Sequence, residues 1–472
     1  MTSRIVVIGA GLGGLAASAL LARAGHSVTV LEGQDWVGGK SRRIDVAGQR
    51  IDTGPSLVTF PGVWERVLDT YDELSPEGPR ARDIAGVTLE RLPEVGRYYF
   101  RGDQANLPVE PGHPWHEAWV RFEQENGTLG PAITNLLTSD PWDPEVLPAV
   151  TSLLSRYGTR LTTDSYLNGL SWMPEALRDV IAIHTLNAGV SPRQTLALYG
   201  TMAAVMATDG VWVPRGGVYE IARGLEALAR HAGVDIHLSE PVVSVTKGLV
   251  TTETAQYAAD YVVSAVDGGV LERLMGVRSR TPSTLSCSGV AVFGVLDQEL
   301  PPEIVTHSVM MPDSPDQLFS ALGKREVPAQ TMAFLNYYRA GQIYPNTKPV
   351  AALLLTAPPN GESFQMSDEW VQAEAARFST LLGLSRPITD MMTDYQILHP
   401  EYFAGFGAWG GALYGEPAPW WRSGPFHTPG YSSRRRPWLW RVGSSVHPGG
   451  GIPAVLGGVL IATRRMRKAL AT

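Results

Sequence analysis

Gly9, Gly11 and Gly14 stand in the spacing G-x-G-x-x-G, and Glu32 follows 18 residues after the last of them. These residue types at this spacing fit the binding of a dinucleotide. Gly9 permits a tight turn, Gly11 lets the backbone approach a pyrophosphate, and Gly14 allows a helix to lie close on a strand. Leu12 and Gly13 lie within the same loop, and the helix that follows would direct free amides and a positive dipole end at the phosphates. A carboxylate at Glu32 suits an adenosine ribose hydroxyl and repels the 2′-phosphate of NADP.

Such a loop works only where a strand enters it and a helix leaves it. The run Ile5-Val6-Val7-Ile8, bounded by glycine, predicts a buried parallel strand. Leu15 to Ala24 predicts a helix with Gly25 as its C-cap, and Val28 to Leu31 predicts a second strand that delivers Glu32. Strand, glycines, helix, strand and acid occur in order within thirty-two residues, which makes the signal specific. The apolar stretch after Arg4 is not read as a signal peptide, because Gly9, Gly11, Gly13 and Gly14 interrupt it.

The segment VGGKSRR places Gly38 and Gly39 after the acid, followed by Lys40, Arg42 and Arg43. Paired glycines bring backbone close to a ligand, and the cations balance a pyrophosphate, with a solvated loop as the plain alternative for Arg43. This arrangement favours FAD over NAD. Ile51 to Val58, IDTGPSLV, offers a further glycine turn suited to lining a flavin. The series resembles the FAD-dependent amine oxidase and phytoene desaturase superfamily, in which a GxGxxG, a ribose acid, a GG-[RK] doublet and a D-x-G-P-[ST] element contact FAD. The resemblance assigns FAD contact to Gly9, Gly11, Gly14, Glu32, Gly39, Lys40 and the run Asp52 to Ser56, within which lie Gly54, Pro55 and Ser56. It implies an α/β chain with a Rossmann-like FAD-binding domain of glutathione-reductase type and an inserted α+β substrate domain.

Two later segments fit the same domain. Pro214-Arg215-Gly216-Gly217 predicts a turn before an amphipathic helix with Ile221, Leu225 and Leu228 on one face. Strands are expected over Val234 to Leu238, Val242 to Val245, Val250 to Thr252 and Tyr257 to Ala265, with Val243 or a neighbour presenting backbone to the adenine. Near the end, a strand from Trp438 to Val442 leads through GSSVHPGGGIP into a helix that carries Pro453 in its first turn. HPGGGIP resembles the C-terminal signature of bacterial and fungal phytoene-desaturase-type enzymes, which assigns Gly443, His447, Gly451 and Ile452 to the flavin face. A capping imidazole is the structural alternative for His447. The FAD domain is expected to comprise residues 1–100, 210–290 and 425–472, and the substrate domain residues 101–209 and 291–424.

Composition excludes several classes. The 472 residues exceed one core, so two or more packed units are expected. A formal net charge of −7 gives no electrostatic reason to bind nucleic acid. The single cysteine, Cys287, excludes an internal disulfide and a cysteine metal cluster, and fits a reducing cytoplasm. His113 and His116 form the one close histidine pair and read as loop residues, so no metal is expected. No apolar run reaches the ~18 residues of a spanning helix.

Dehydrogenating an unactivated hydrocarbon needs a hydride acceptor, a route for proton loss and a channel poor in water. No carboxylate–histidine couple stands out, so the catalytic residues stay unassigned; the G-x-S-x-G and H-E-x-x-H motifs are absent. Ile181 to Met206 is apolar and broken by Ser191-Pro192-Arg193; it reads as core helices or as a surface dipping into a membrane interface. Trp409, Trp420, Trp421, Trp438 and Trp440 beside Arg434, Arg435 and Arg436 admit the same two readings. The resemblance implies an FAD-dependent carotenoid desaturase, of phytoene or 1-hydroxycarotenoid 3,4-desaturase type, with oxygen or a quinone as electron acceptor. It further implies a cytoplasmic protein held peripherally on the inner face of the cell membrane, where its substrate dissolves. A flavin amine oxidase and a carotenoid isomerase using reduced FAD are the alternatives.

Overall fold

A computed structural model describes residues 2–417, 420 and 430–471. Arg4–Ile8, buried at four of its five positions, is a central strand of a six-stranded sheet. It runs parallel to Ser27–Leu31 on one side and to Tyr261–Ser264 on the other. Asp235–His237 and Arg436–Arg441 extend the parallel array outward, and the short edge strand Ser432–Ser433 is antiparallel. Strands covered on both faces must be apolar throughout, and the Ile-Val-Val-Ile run satisfies that requirement.

The first helix, Leu12–Arg23, begins three residues before the expected Leu15, because Gly13 and Gly14 form its first turn. Gly25, just beyond its end, has φ +92°, a conformation glycine adopts without strain. Helices Tyr219–His231 and Ile452–Ala471 pack against it. Val242–Thr246, Leu249–Thr252 and Gln256–Ala258 form a separate antiparallel meander.

A seven-stranded sheet makes the second layer, in the order Met392–Leu398, Ser288–Leu296, Val350–Ala357, Ala333–Tyr338, His307–Met310, Gly96–Phe100, Asp103–Leu107. Neighbours are antiparallel except His307–Met310 beside Gly96–Phe100. Ser288–Leu296 is buried at every position. Helix Glu369–Leu381 lays Val371, Ala375 and Phe378 on this sheet. The α/β class, with a Rossmann-like sheet and an α+β partner, is as the sequence implied.

Short helices between His116 and Asp209 form a roof. Ile181 to Met206 folds there as helical and 3₁₀ turns rather than two continuous helices. Ile181, Ile183, Leu186, Val190, Ala197 and Ala203 to Met206 are buried, while Ala182, Leu196, Leu198 and Met202 are half-buried, so most of this segment packs as core. Trp440 is likewise buried in its strand, while Trp421 lies outside the described residues. No helix among the described residues is long and apolar enough to cross a membrane.

Candidate flavin site

The glycine loop closes on itself as its spacing requires. A Cβ on Gly14 would run into the Gly9 carbonyl oxygen, so only glycine lets helix Leu12–Arg23 sit on the first strand. Gly11 is different: a Cβ there meets nothing within 4 Å, leaving open space over the loop. Gly11 is the N-cap, no side chain caps the helix, and its first backbone bond runs from Leu15 N–H to Gly11 C=O at 2.9 Å. The amides of Leu12 and Gly13 are left for an anion, on the positive end of the helix.

Two distant segments meet this loop. Gly38 N–H donates to Ala10 C=O at 2.8 Å, and a Cβ on Gly39 would stand 3.2 Å from Gly11 Cα. Gly13 packs on Gly443, where a Cβ would come within 3.3 Å of the Gly443 backbone. The structure thus brings together Gly9, Gly11, Leu12, Gly13, Gly14, Gly39 and Gly443.

Glu32 ends the second strand. Ala10 N–H donates to Glu32 Oε2 at 2.7 Å and Gln34 N–H to Oε1 at 2.9 Å. Burial raises its pKa, and those amides partly offset the effect. Each carboxylate oxygen keeps a lone pair for a ribose hydroxyl. Val243 lies apart on the meander, 47% exposed, beside a register shift between Val242 and Ser244.

The cations take other places than the sequence suggested. Lys40 donates to the carbonyls of Leu413 at 2.9 Å and Ala412 at 3.4 Å, joining the glycine doublet to a distant loop. Burial lowers its pKa and Asp267 partly offsets that. Arg42 stacks over Trp36, 3.9 Å from the ring centre. Arg43 is no solvated loop residue. Its side chain, 13% exposed, is paired with Asp52 at 2.7 Å and Glu220 at 2.8 Å. Burial opposes the Arg43 charge, but the bonds and attraction of Asp52 and Glu220 outweigh it and hold the guanidinium above its ordinary pKa.

Asp52 also accepts from Tyr219 N–H at 2.9 Å, so it anchors the helix after the Pro214–Gly217 turn. Gly54 is exposed at φ +105°, with Pro55 and Ser56 half-buried behind it. Beneath them Asp52, Ser56, Asn336, Tyr338 and Tyr344 enclose about 20 Å³, room for one water.

The C-terminal turn is open in the same way as Gly11. A Cβ on Gly449 or Gly451 meets nothing within 4 Å, and both have positive φ, +129° and +89°. Helix Ile452–Ala471 starts there, so its amino end faces that space; Ile452 itself is buried. The His447 carbonyl accepts the Tyr431 hydroxyl at 2.9 Å. Sequence reasoning missed Tyr414, whose ring lies against Gly450; glycines on either side, in GGALYGE, were the available signal.

Open glycines at Gly11 and Gly451, unsatisfied helix amides and a carboxylate with free lone pairs fit an FAD. Among the described residues no group of three His, Cys, Asp or Glu could hold a metal. His113 and His116 belong to a turn and a helix start, His116 bonding the Val109 carbonyl at 2.8 Å.

Known proteins agree with that fit. The family model described as flavin containing amine oxidoreductase matches residues 12–286, more than half of the chain. A ζ-carotene-forming phytoene desaturase of Myxococcus xanthus is 28% identical over 98% of this chain and 93% of its own length. A hydroxyneurosporene desaturase of Cereibacter sphaeroides is 24% identical over 95% and 94%. Among solved structures a putrescine oxidase variant superposes with a TM-score of 0.64 at 16% identity, covering 100% of this chain and 99% of its own, a likeness of fold alone. The glycine loop, the buried acid that ends the second strand and the matched family together make this chain a member of the flavin-containing amine oxidoreductases, with FAD as its cofactor.

Proposed function

We propose that the chain is a carotenoid desaturase of carotenoid biosynthesis, an FAD-dependent oxidoreductase that introduces a C=C bond into a long acyclic polyene. The observation that carries this reading is likeness along nearly the full length to relatives named as desaturases of phytoene and hydroxyneurosporene. FAD, when bound, supplies the hydride acceptor for oxidation of a CH–CH pair.

The chain's own residues do the rest. Gly9, Gly11, Leu12, Gly13 and Gly14 with Gly39 cradle the pyrophosphate, Glu32 holds the ribose, and Val243 presents backbone to the adenine. Lys40, Gly54, Pro55 and Ser56 on one side, and Gly443, His447, Gly451 and Ile452 on the other, bound the flavin. The buried roof from Ile181 to Met206 excludes water. We read residues 96–107 with the substrate unit, because they pair in the seven-stranded sheet. The catalytic base stays unassigned.

A carotenoid is almost insoluble in water, so we propose peripheral attachment to the cytoplasmic face of the membrane, with oxygen or a quinone as electron acceptor. The face that supports this is helix Leu147–Tyr157. Ala149, Leu153 and Tyr157 are buried on its inner side, while Leu147 is 63% and Leu154 49% exposed on the outer side. Trp142, 65% exposed, precedes it, and Arg464 of the last helix reaches Asp143 at 3.8 Å, bringing a basic helix end alongside. Apolar and basic side chains together suit an anionic bilayer surface.

The test is incubation of the FAD-loaded protein with acyclic carotenoids, read by absorption and mass. Loss of two hydrogens supports the desaturase. An unchanged mass with a shifted spectrum means an isomerase, and oxidation of amines alone means an amine oxidase.

A further inference from the structure

Residues 412–415 touch three parts of the nucleotide half that lie far apart in sequence. Lys40 Nζ donates to Leu413 C=O at 2.9 Å and to Ala412 C=O at 3.4 Å. The Tyr414 ring lies on Gly450, where a Cβ would come within 2.5 Å of Cδ1. A Cβ on Gly415 would stand 3.3 Å from Asp267 Oδ2, and Asp267 caps helix Gly268–Leu274.

The other half of the molecule holds the same residues. Leu413 N–H donates to Cys287 C=O and Ser286 N–H to Gly415 C=O, both at 3.0 Å. Tyr414 N–H donates to Ser286 Oγ at 3.0 Å. Just before them, Gly411 C=O accepts the hydroxyl of Ser288, the first residue of strand Ser288–Leu296, at 2.8 Å.

The two ends of this crossing stand at the two openings of the site. Lys40 follows Gly39, which packs on Gly11, and a Cβ on Gly11 meets nothing. Gly450 lies between Gly449 and Gly451, where a Cβ likewise meets nothing. Lys40 is the charged group in the crossing. It forms no ion pair among the described residues, and both its hydrogen bonds go to carbonyls of the crossing. Bonds from an ammonium are about twice as strong as neutral ones, so this lysine is the main tie at its end. Every one of these bonds joins protein to protein, so the crossing closes without help from a cofactor. A ligand lying between Gly11 and Gly451 then passes only when the crossing lifts, and entry and exit share one barrier.

We propose that residues 412–415 form a strap over the flavin site, latched by Lys40, whose opening sets the rate at which FAD enters and leaves. Lys40 is in this role a positioning residue, acting on FAD through the carbonyls of Ala412 and Leu413. The strap rests on FAD as the cofactor and not on the polyene reading, so either can fail without the other.

The test mixes FAD-free protein with FAD and follows flavin fluorescence, with release read after dilution of the loaded protein; no turnover is needed. In wild type the observed binding rate should level off as FAD rises, because strap opening becomes limiting. Lys40→Met should raise that plateau and the release rate each by at least about tenfold, while Kd moves less than either rate. Tyr414→Ala, which frees the Gly450 end, should shift both rates in the same direction. The Leu413 and Ser286 amides of FAD-free Lys40→Met should exchange hydrogen faster, while those within Ser288–Leu296 hold. A wild-type rate that stays linear in FAD overturns the strap. So does faster release with unchanged association in Lys40→Met, which would mean that Lys40 touches FAD itself, and so do unchanged rates in both variants. Should Lys40→Met fail to fold, the wild-type plateau and Tyr414→Ala decide.

Discussion

Arg43 Nε lies 2.7 Å from Asp52 Oδ1, with 13% of one side chain and 5% of the other exposed, and this pair ties the hairpin carrying Asp-Thr-Gly-Pro-Ser to the Pro214–Gly217 turn. Arg43 closes the link by donating to the Gly216 carbonyl as well. Asp52→Ala leaves a buried guanidinium with Glu220 as its one remaining carboxylate. The fold should lose about 3 kcal/mol. Urea unfolding of the FAD-free protein reads that loss, and an unchanged midpoint would show the pair to be ornamental.

Gly11 and Gly14 look alike in the motif but should fail differently. Gly14→Ala puts a methyl into the Gly9 carbonyl and should destabilise the protein with or without flavin. Gly11→Ala meets no protein atom, so the apoprotein should melt as wild type does while FAD affinity drops at least tenfold. Calorimetry and flavin titration on the same samples separate the two. Equal loss of stability in both variants would contradict the open space over Gly11.

Glu32→Ala should weaken FAD binding by about 1.5–3 kcal/mol, roughly 10- to 150-fold, because charge-assisted bonds to the ribose go. Some of that cost comes from the amides of Ala10 and Gln34, which lose their acceptor. Glu32→Gln keeps an acceptor oxygen and should fall between. Equilibrium dialysis with FAD gives the numbers, and retained wild-type affinity in Glu32→Ala would remove this residue from the site.

His184 is buried against Tyr98, its Nε2 3.0 Å from the phenol oxygen, and burial lowers its pKa to about 4. An unfolded histidine titrates near pH 6.5, so between about pH 6.5 and 4 the unfolded chain binds the extra proton. Stability from this group is therefore full above pH 6.5 and lost as pH falls toward 4, up to about 3 kcal/mol. His184→Gln should flatten the pH dependence of the melting temperature across that window. An equally steep curve in the variant would assign the loss to other groups.

Trp142→Ser with Leu147→Ser and Leu154→Ser should abolish sedimentation with anionic liposomes while leaving the fold intact, since all three side chains are exposed. Wild type should be released only partly by high salt, because apolar burial survives screening. Liposome binding by the triple variant equal to that of wild type would move the membrane face elsewhere.

The nucleotide half was legible because its signals are contiguous. Strand, glycine loop, helix, strand and Glu32 occupy one stretch, and each choice is dictated by backbone geometry that neighbours in sequence impose. The seven-stranded sheet was not legible. It joins Gly96–Phe100 to His307–Met310 across two hundred residues, and no local period announces such a pairing. Arg43 was misplaced for the same reason, since Glu220 sits far along the chain. Ile181 to Met206 was ambiguous because an apolar run looks the same whether it meets core or lipid. Tyr414 carries no motif and becomes visible only where its ring packs on Gly450.

The central parallel sheet takes its strands from the first residues, from the middle of the chain and from Arg436–Arg441, and helix Ile452–Ala471 lies on helix Leu12–Arg23. On the ribosome, the glycine loop waits for its covering helix until the long stretch of chain between them has been made. The half-built pocket spends that interval with an apolar flank uncovered. Flavin capture thus follows synthesis of that helix, and a chain stalled before residue 436 should neither colour yellow nor hide that flank from chaperones.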